Sequence, residues 1–388
     1  MARHYTRFDV AHRLLFTGHS HQAWPDCAWE GHTRAIDAAA RLVDDKWEAA
    51  SACAERVRAG YARLLGDAGG GIALGANTHE LLVRFLSALP LRERPRIVTT
   101  DGEFHSARRQ LARLAEVGID VDRIARDPAE TLSERLAAAV DSRTACVVVS
   151  CVLYEDARIV EGLAGVLDAC SREGAELLVD AYHALNVVPF DVASLGLEDA
   201  WVTGGGYKYC QLGEGNCFLR LPPHCDRRPV VTGWFAEFQR LESAADDGEV
   251  FYASGADRFA GSTYDPTSHY RAVPVFDFFA VHGLTPELLR EVSLHQVSRL
   301  AERFDALDAD PKLCTRDRSQ PRSAYGGFLA LRSLRAGELQ TLLRERGVLT
   351  DHRGDCLRLG PAPYLCDGQI DAAAAALGEA LAAVASSR

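Results

Sequence analysis

The sequence predicts an α/β fold: a mainly parallel sheet covered by helices, followed by a smaller C-terminal α+β domain. Three observations lead there. Between about residues 70 and 220, short β-branched runs alternate with helical windows. The windows are amphipathic: in "LAGVLDACSREG", Leu163, Val166, Leu167 and Cys170 fall at i, i+3, i+4 and i+7. After Pro274 the pattern changes to long helices and a late strand pair.

Taken in order, the expected strands are "IAL" (72–74), "RIVTT" (96–100), "TACVVVSCV" (144–152), "ELLVD" (176–180), "AWVTG" (200–204) and "CFLRL" (217–221). "EFHSARRQLARLAEVG" and "LAGVLDACSREG" supply helices between them. Beyond residue 275, helices broken at Gly283 and Pro286 precede the strand "GGFLALRS", the helix "RAGELQTLLRERG", the strand pair in "VLTDHRGDCLRLGP" and a terminal alanine-rich helix. These divide the chain into an N-terminal segment with a large domain, 1–275, and a small domain, 276–388. Ligands on such sheets sit beyond the carboxyl ends of the strands, so the residues just after each run carry the chemistry.

A chain of 388 residues suits one large core with a companion. The net charge of -11 argues against nucleic acid or an anionic membrane as the main partner. The 11 cysteines form no CxxC pair, which argues against zinc ribbons and thiol redox motifs, and His19 and His21 lack further ligands at zinc spacing. The cysteine pattern and an N-terminus without a long apolar run suit a cytoplasmic protein.

Lys208 lies in "GGGYKY", after a strand and in a segment nearly free of other charge. It is either a loop lysine or an amine meant to react. Asp180 closes the apolar strand "LLVD", with His183 three residues on. A buried carboxylate there needs a cation, such as a protonated pyridine nitrogen, unless it only caps the next turn. "LGANTHELL" places Asn77 and Thr78 between a strand and a helix, a position for a phosphate or for a plain cap. Phe104 follows another strand, either to stack on a ring or to fill the core. Asp180 and Lys208 together favour pyridoxal 5'-phosphate (PLP), one for the ring nitrogen and one for the aldehyde carbon.

In this order and spacing the segments resemble the kynureninase branch of the class V aminotransferases, which are fold type I PLP enzymes. The resemblance implies a seven-stranded PLP domain. It makes Lys208 the Schiff-base lysine and Asp180 its catalytic partner, with His183 from "DAYH" and Tyr207 beside the phosphate. "GANTHELL" gives Asn77 and Thr78 to the phosphate. "EFHSA" gives Phe104 as ring stacker with His105 and Ser106 nearby. "VVVSCVLYEDAR" gives Ser150 and the substrate-facing Tyr154, and "VTGWFAEF" gives Trp234. "FAGSTYDP" gives Ser262 or Thr263, reaching the cofactor of the other subunit in a homodimer. "CLRLGPAPY" gives Arg358 as the clamp on the substrate α-carboxylate.

The sequence departs from that family at Glu155–Arg158, at Glu237 and around "STYDPTSHYR". In that family the corresponding positions border the substrate side chain. Glu155, Asp156 and Glu237 are expected to add negative charge there, which disfavours kynurenine and favours a more polar amino acid with a β-leaving group or β-carbonyl. His269 and Arg271 either face the substrate or cap a helix. The implied activity is PLP-dependent side-chain cleavage, hydrolytic or eliminative. The alternatives are amino-group transfer to a keto acid, or an inactive regulatory relative.

Overall fold

The computed structural model describes residues 1–67, 71–223, 225–240 and 250–386. A short strand β1 (Leu14–Leu15) and two helices, α1 (Cys27–Leu42) and α2 (Lys46–Leu64), precede the main sheet. Its seven strands are β2 (Gly71–Gly75), β3 (Arg96–Thr100), β4 (Asp120–Ile124), β5 (Thr144–Ser150), β6 (Glu176–Asp180), β7 (Trp201–Gly205) and β8 (Cys217–Leu221), in spatial order β2-β8-β7-β6-β5-β3-β4. Only β8 runs against the others, pairing antiparallel with both β7 and β2. All seven residues of β5 are buried, as expected of a central strand covered on both faces.

The covering helices are α3 (Thr78–Ser87), α4 (His105–Glu116), α5 (Leu132–Ala139) and α6 (Leu163–Glu173). In α6, Leu163, Val166 and Cys170 are buried and Leu167 packs against the same cluster. Each fully buried Leu or Val contributes about 1.5–3 kcal/mol, so this repeated stripe fixes the helix on the sheet. Strand β4 escapes sequence reading because "DVDRI" carries three charged residues. It is an edge strand, paired among the described residues only with β3, where charge faces water at little cost.

Beyond the sheet lie α7 (Thr267–Val281), α8 (Pro286–Ala306), β9 (Leu329–Arg332), α9 (Ala336–Glu345), β10 (Val348–Leu349), β11 (Asp351–Arg353), β12 (Cys356–Leu359) and α10 (Asp367–Ser386). Pro274 lies inside α7, so that helix runs across residue 275. Strands β11, β12 and β9 form a three-stranded sheet. Tyr5, Val10, Phe16 and Ala23 from the N-terminal segment share a core with Leu331, Leu339, Leu357 and Leu377 of the C-terminal part. No helix among the described residues is long and apolar enough to cross a membrane.

Candidate active site

Parallel register brings the site together. Ser150 and Asp180 end neighbouring strands and are direct partners, and Thr203 of β7 stands opposite Asp180. Lys208 follows three residues after β7. The glycines before it have steric work to do: a Cβ on Gly205 would lie 2.5 Å from both the Tyr182 hydroxyl and the Cys217 sulfur. The loop is also braced from behind. Arg271 donates to the carbonyls of Leu212 and Glu214, and His269 contacts the Asn216 amide oxygen at 3.1 Å. These two residues hold the lysine loop and do not cap a helix.

The Lys208 amine is buried and 2.6 Å from Nε2 of His183. It sits 4.6 Å from the Tyr182 ring centroid and 5.4 Å from that of Phe104. Burial lowers its pKa to about 7, while Asp180 opposes the shift. Burial also holds His183 well below the usual histidine range, with the Lys208 charge adding to the effect, and its Nδ1 has no partner among the described residues. Asp180 accepts one bond, from the Tyr182 amide at 2.8 Å, and desolvation raises its carboxyl above the usual range. Tyr207 stacks on His21 at 4.7 Å and packs beside Tyr182. His105 and Tyr154 meet edge-on at 5.4 Å, and Tyr154 meets Phe104 at 5.5 Å.

Arg358 is buried and already paired. Asp351 accepts its Nε at 2.8 Å and its Nη2 at 2.5 Å, and the Tyr154 carbonyl accepts Nη1. Three of the five donors on the fork are thereby used and two remain. His19 is fully buried and holds the same Asp351 oxygen at 2.8 Å. Burial lowers the His19 pKa to about 4, so the imidazole is neutral near pH 7.

The Asn77 side chain caps α3, accepting from the Glu80 amide at 2.9 Å and donating to the Glu80 carboxylate. Thr78, the first residue of α3, and Ser106, in the first turn of α4, are half-buried. Ser150 donates to Glu103 from both its hydroxyl (2.6 Å) and its amide (3.1 Å). Trp234 is 40% exposed and packs against Phe235 and Phe238. Ser262 and Thr263 are exposed, and among the described residues no contact with the Lys208 cluster is seen for them or for Trp234. Glu155 does not present free negative charge, because Arg126 and Arg332 both pair with it. Asp156 accepts from the Arg158 amide, and Glu237 lies on a 3-10 turn next to Trp234.

Sequence reading missed Glu103, which is buried with its pKa pushed up to about 7 by burial. It also missed Asp351. One available signal went unused: the chain has three lysines, and of Lys46, Lys208 and Lys312 only Lys208 is buried.

No family model matches the chain. The Bacillus subtilis (strain 168) protein named uncharacterized aminotransferase YcbU is 25% identical over 325 residues, covering 82% of this chain and 81% of the relative. A C-DES mutant with glycine covalently linked to its PLP cofactor superposes with a TM-score of 0.83 at 16% identity, covering 98% of this chain and 99% of that one. The cysteine desulfurase CsdA from Escherichia coli gives 0.78 at 16% identity, covering 98% of each chain. Over nearly its whole length the chain has the α/β fold of the cysteine desulfurase and C-DES structures.

Proposed function

We propose that this chain is a PLP-dependent enzyme of the class V aminotransferase type, acting on an α-amino acid by side-chain cleavage. The observation that carries the reading is the buried Lys208 amine, held at 2.6 Å by His183 beside the carboxylate that ends β6. The donor set fits PLP. Asp180 has the charge for a pyridinium nitrogen, Lys208 the amine for the aldehyde carbon, and Phe104 and His105 the rings to flank it. Thr78 and Tyr207 are the candidates for the phosphate. The Asn77 side chain is committed to its helix cap, so only its backbone is free for that role.

When bound, PLP supplies an electron sink for carbanion chemistry. The chain's own residues do the rest. Two free donors of Arg358 bind the substrate carboxylate, and Asp351 with His19 fix the plane in which the fork lies. The Lys208 amine, its pKa lowered by burial to about 7, is a base matched to proton transfer at physiological pH. His183 stays neutral and receives a hydrogen bond from that amine, which directs its lone pair. The rings of Tyr182, Phe104 and Tyr207 around Nζ exclude water.

The structural relatives support carbon–sulfur cleavage as the closing step, because one of them is a C-DES cystine C-S lyase complexed with its product, cysteine persulfide. The kynureninase-like motif order supports cleavage of a side chain more broadly. The aminotransferase name of the Bacillus relative favours a second reading, amino-group transfer to a keto acid. Incubating PLP-loaded protein with single amino acids and identifying products by mass separates them. Cleavage yields a side-chain fragment with PLP retained, whereas transfer yields a keto acid and pyridoxamine phosphate. Absence of both products across all amino acids would sink the proposal.

We also propose a twofold homodimer. The support is exposed apolar surface on one stretch: Trp234 at 40%, Phe238 at 57% and Val231 at 47%, near the exposed Ser262 and Thr263. Sedimentation should give twice the chain mass, and a fully active monomer would exclude the dimer.

A further inference from the structure

We propose that the substrate is an amino acid whose side chain ends in an acidic group, held at the site mouth by Arg353 and Arg108. The inference rests on the reading of Arg358 as the α-carboxylate clamp and deepens it.

The charges around the mouth do not balance. Arg353 lies on β11 beside Asp351, with its Nη2 3.6 Å from the carboxylate that Arg358 already holds in two-point contact. The same carboxylate also receives His19. A single anion therefore serves two guanidinium groups and an imidazole. The other contact seen for Arg353 is its donation to the His352 carbonyl at 2.7 Å. Arg108 approaches His105 Nδ1 at 3.3 Å and has no carboxylate partner among the described residues. His105 in turn meets the Tyr154 ring, and the Tyr154 carbonyl is bonded to Arg358. One continuous set of contacts thus joins Arg108, His105, Tyr154, Arg358, Asp351 and Arg353.

The electrostatics agree with the geometry. Desolvation lowers the His105 pKa, and the charges that act on it are those of Arg108, Arg353 and Arg358, with no acid among them. Arg353 and Arg358 also act on His183, so their field reaches the residue bonded to Lys208. Three guanidinium groups against one carboxylate leave two positive charges, in a protein whose net charge is -11. One is met by a substrate α-carboxylate. The second calls for another anion on the same molecule. Glu155 cannot meet it, since it is committed to Arg126 and Arg332. Arg353 is 38% exposed and Arg108 exposed, so both are open to a ligand's outer end.

The test is calorimetric binding to PLP-loaded protein of L-aspartate against L-asparagine and of L-glutamate against L-glutamine, in wild type and in Arg353→Gln, Arg108→Gln and Arg358→Gln. Succinate against its mono-amide provides a pair without the amino group. At least one acid should bind about tenfold or more tighter than its amide, the span of one charge-assisted hydrogen bond. Arg353→Gln should bring that ratio close to one, and Arg108→Gln should reduce it. Equal binding of acid and amide in wild type would overturn the proposal. So would a ratio untouched by Arg353→Gln, or a variant whose main defect is loss of PLP, which would place the arginines at the cofactor phosphate. If Arg358→Gln weakens acid and amide alike while their ratio stays at one, the clamp reading survives and the acidic side chain alone fails. If no α-amino acid binds at all, both fall.

Discussion

The Nζ of Lys208 lies 2.6 Å from Nε2 of His183, both groups are buried, and burial pushes both toward the neutral form. A cation is thus disfavoured at the one point where a nucleophilic amine is wanted. With the amine as donor, the imidazole proton falls on Nδ1, which is buried without a partner among the described residues. This arrangement costs stability, and its maintenance points to chemistry and not to folding.

The cost is measurable. The Lys208 pKa falls from 10.5 unfolded to about 7 folded. Below pH 7 both states hold the proton and the folded protein bears the full desolvation penalty. Between pH 7 and 10.5 only the unfolded chain is protonated, and the penalty shrinks as pH rises. Lys208→Met should therefore stabilise the cofactor-free protein by on the order of 4 kcal/mol at pH 6–7, with the gain fading toward pH 10. Denaturant titrations at both pH values check this. A gain that does not vary with pH would contradict the assignment.

His19 acts on the substrate through Asp351. Its Nε2 holds an Asp351 oxygen that also receives Arg358 Nε. His19→Ala should raise the amino-acid dissociation constant by about 5- to 10-fold, the value of one hydrogen bond, and leave PLP retention intact. His19→Asn, which can still donate, should recover part of the loss. Because the His19 pKa lies near 4, the defect should be the same at pH 6 and pH 8. A defect that appears only in acid would mean that His19 works as a charge.

Glu103 is the buried acid behind Ser150, bonded also to the Thr100 hydroxyl at 2.7 Å. Burial raises its folded pKa to about 7 from 4.5. The folded state thus binds the extra proton between those values, and this group's contribution to stability falls as pH rises from 4.5 to 7. Wild type should lose about 2.5 kcal/mol from this group between pH 5 and pH 8, and Glu103→Gln should remove that slope. Unfolding free energies of both proteins at the two pH values provide the comparison. Parallel slopes would show that Glu103 is ionised in the fold at pH 5.

How much of this was legible depended on whether a partner was close in sequence. Lys208 and Asp180 could be read because each follows an apolar strand, and parallel strands deliver such residues to one edge. Asn77 shows the opposite case. Asn77 and Glu80 stand three apart at the start of a helix, which is capping-box spacing, so the cap was readable and competed with the phosphate role. Asp351 and Arg358 were separable only by register: the hairpin around Gly354 sets them directly opposite each other. Glu103 could not be read, because its partner Ser150 is 47 residues away, at the end of β5, while Glu103 lies in the turn after β3. Glu155 looked like free charge beside the substrate because its partners, Arg126 and Arg332, come from distant elements.

The central claim is that Lys208 is the residue that takes PLP, and the composition makes the test sharp. Only Lys46, Lys208 and Lys312 offer a lysine amine. Protein loaded with PLP, reduced with borohydride, digested and mapped by mass should carry one phosphopyridoxyl group per chain, on Lys208, and Lys208→Ala should carry none there. A label on Lys46 or Lys312 with Lys208 unmodified would contradict the account.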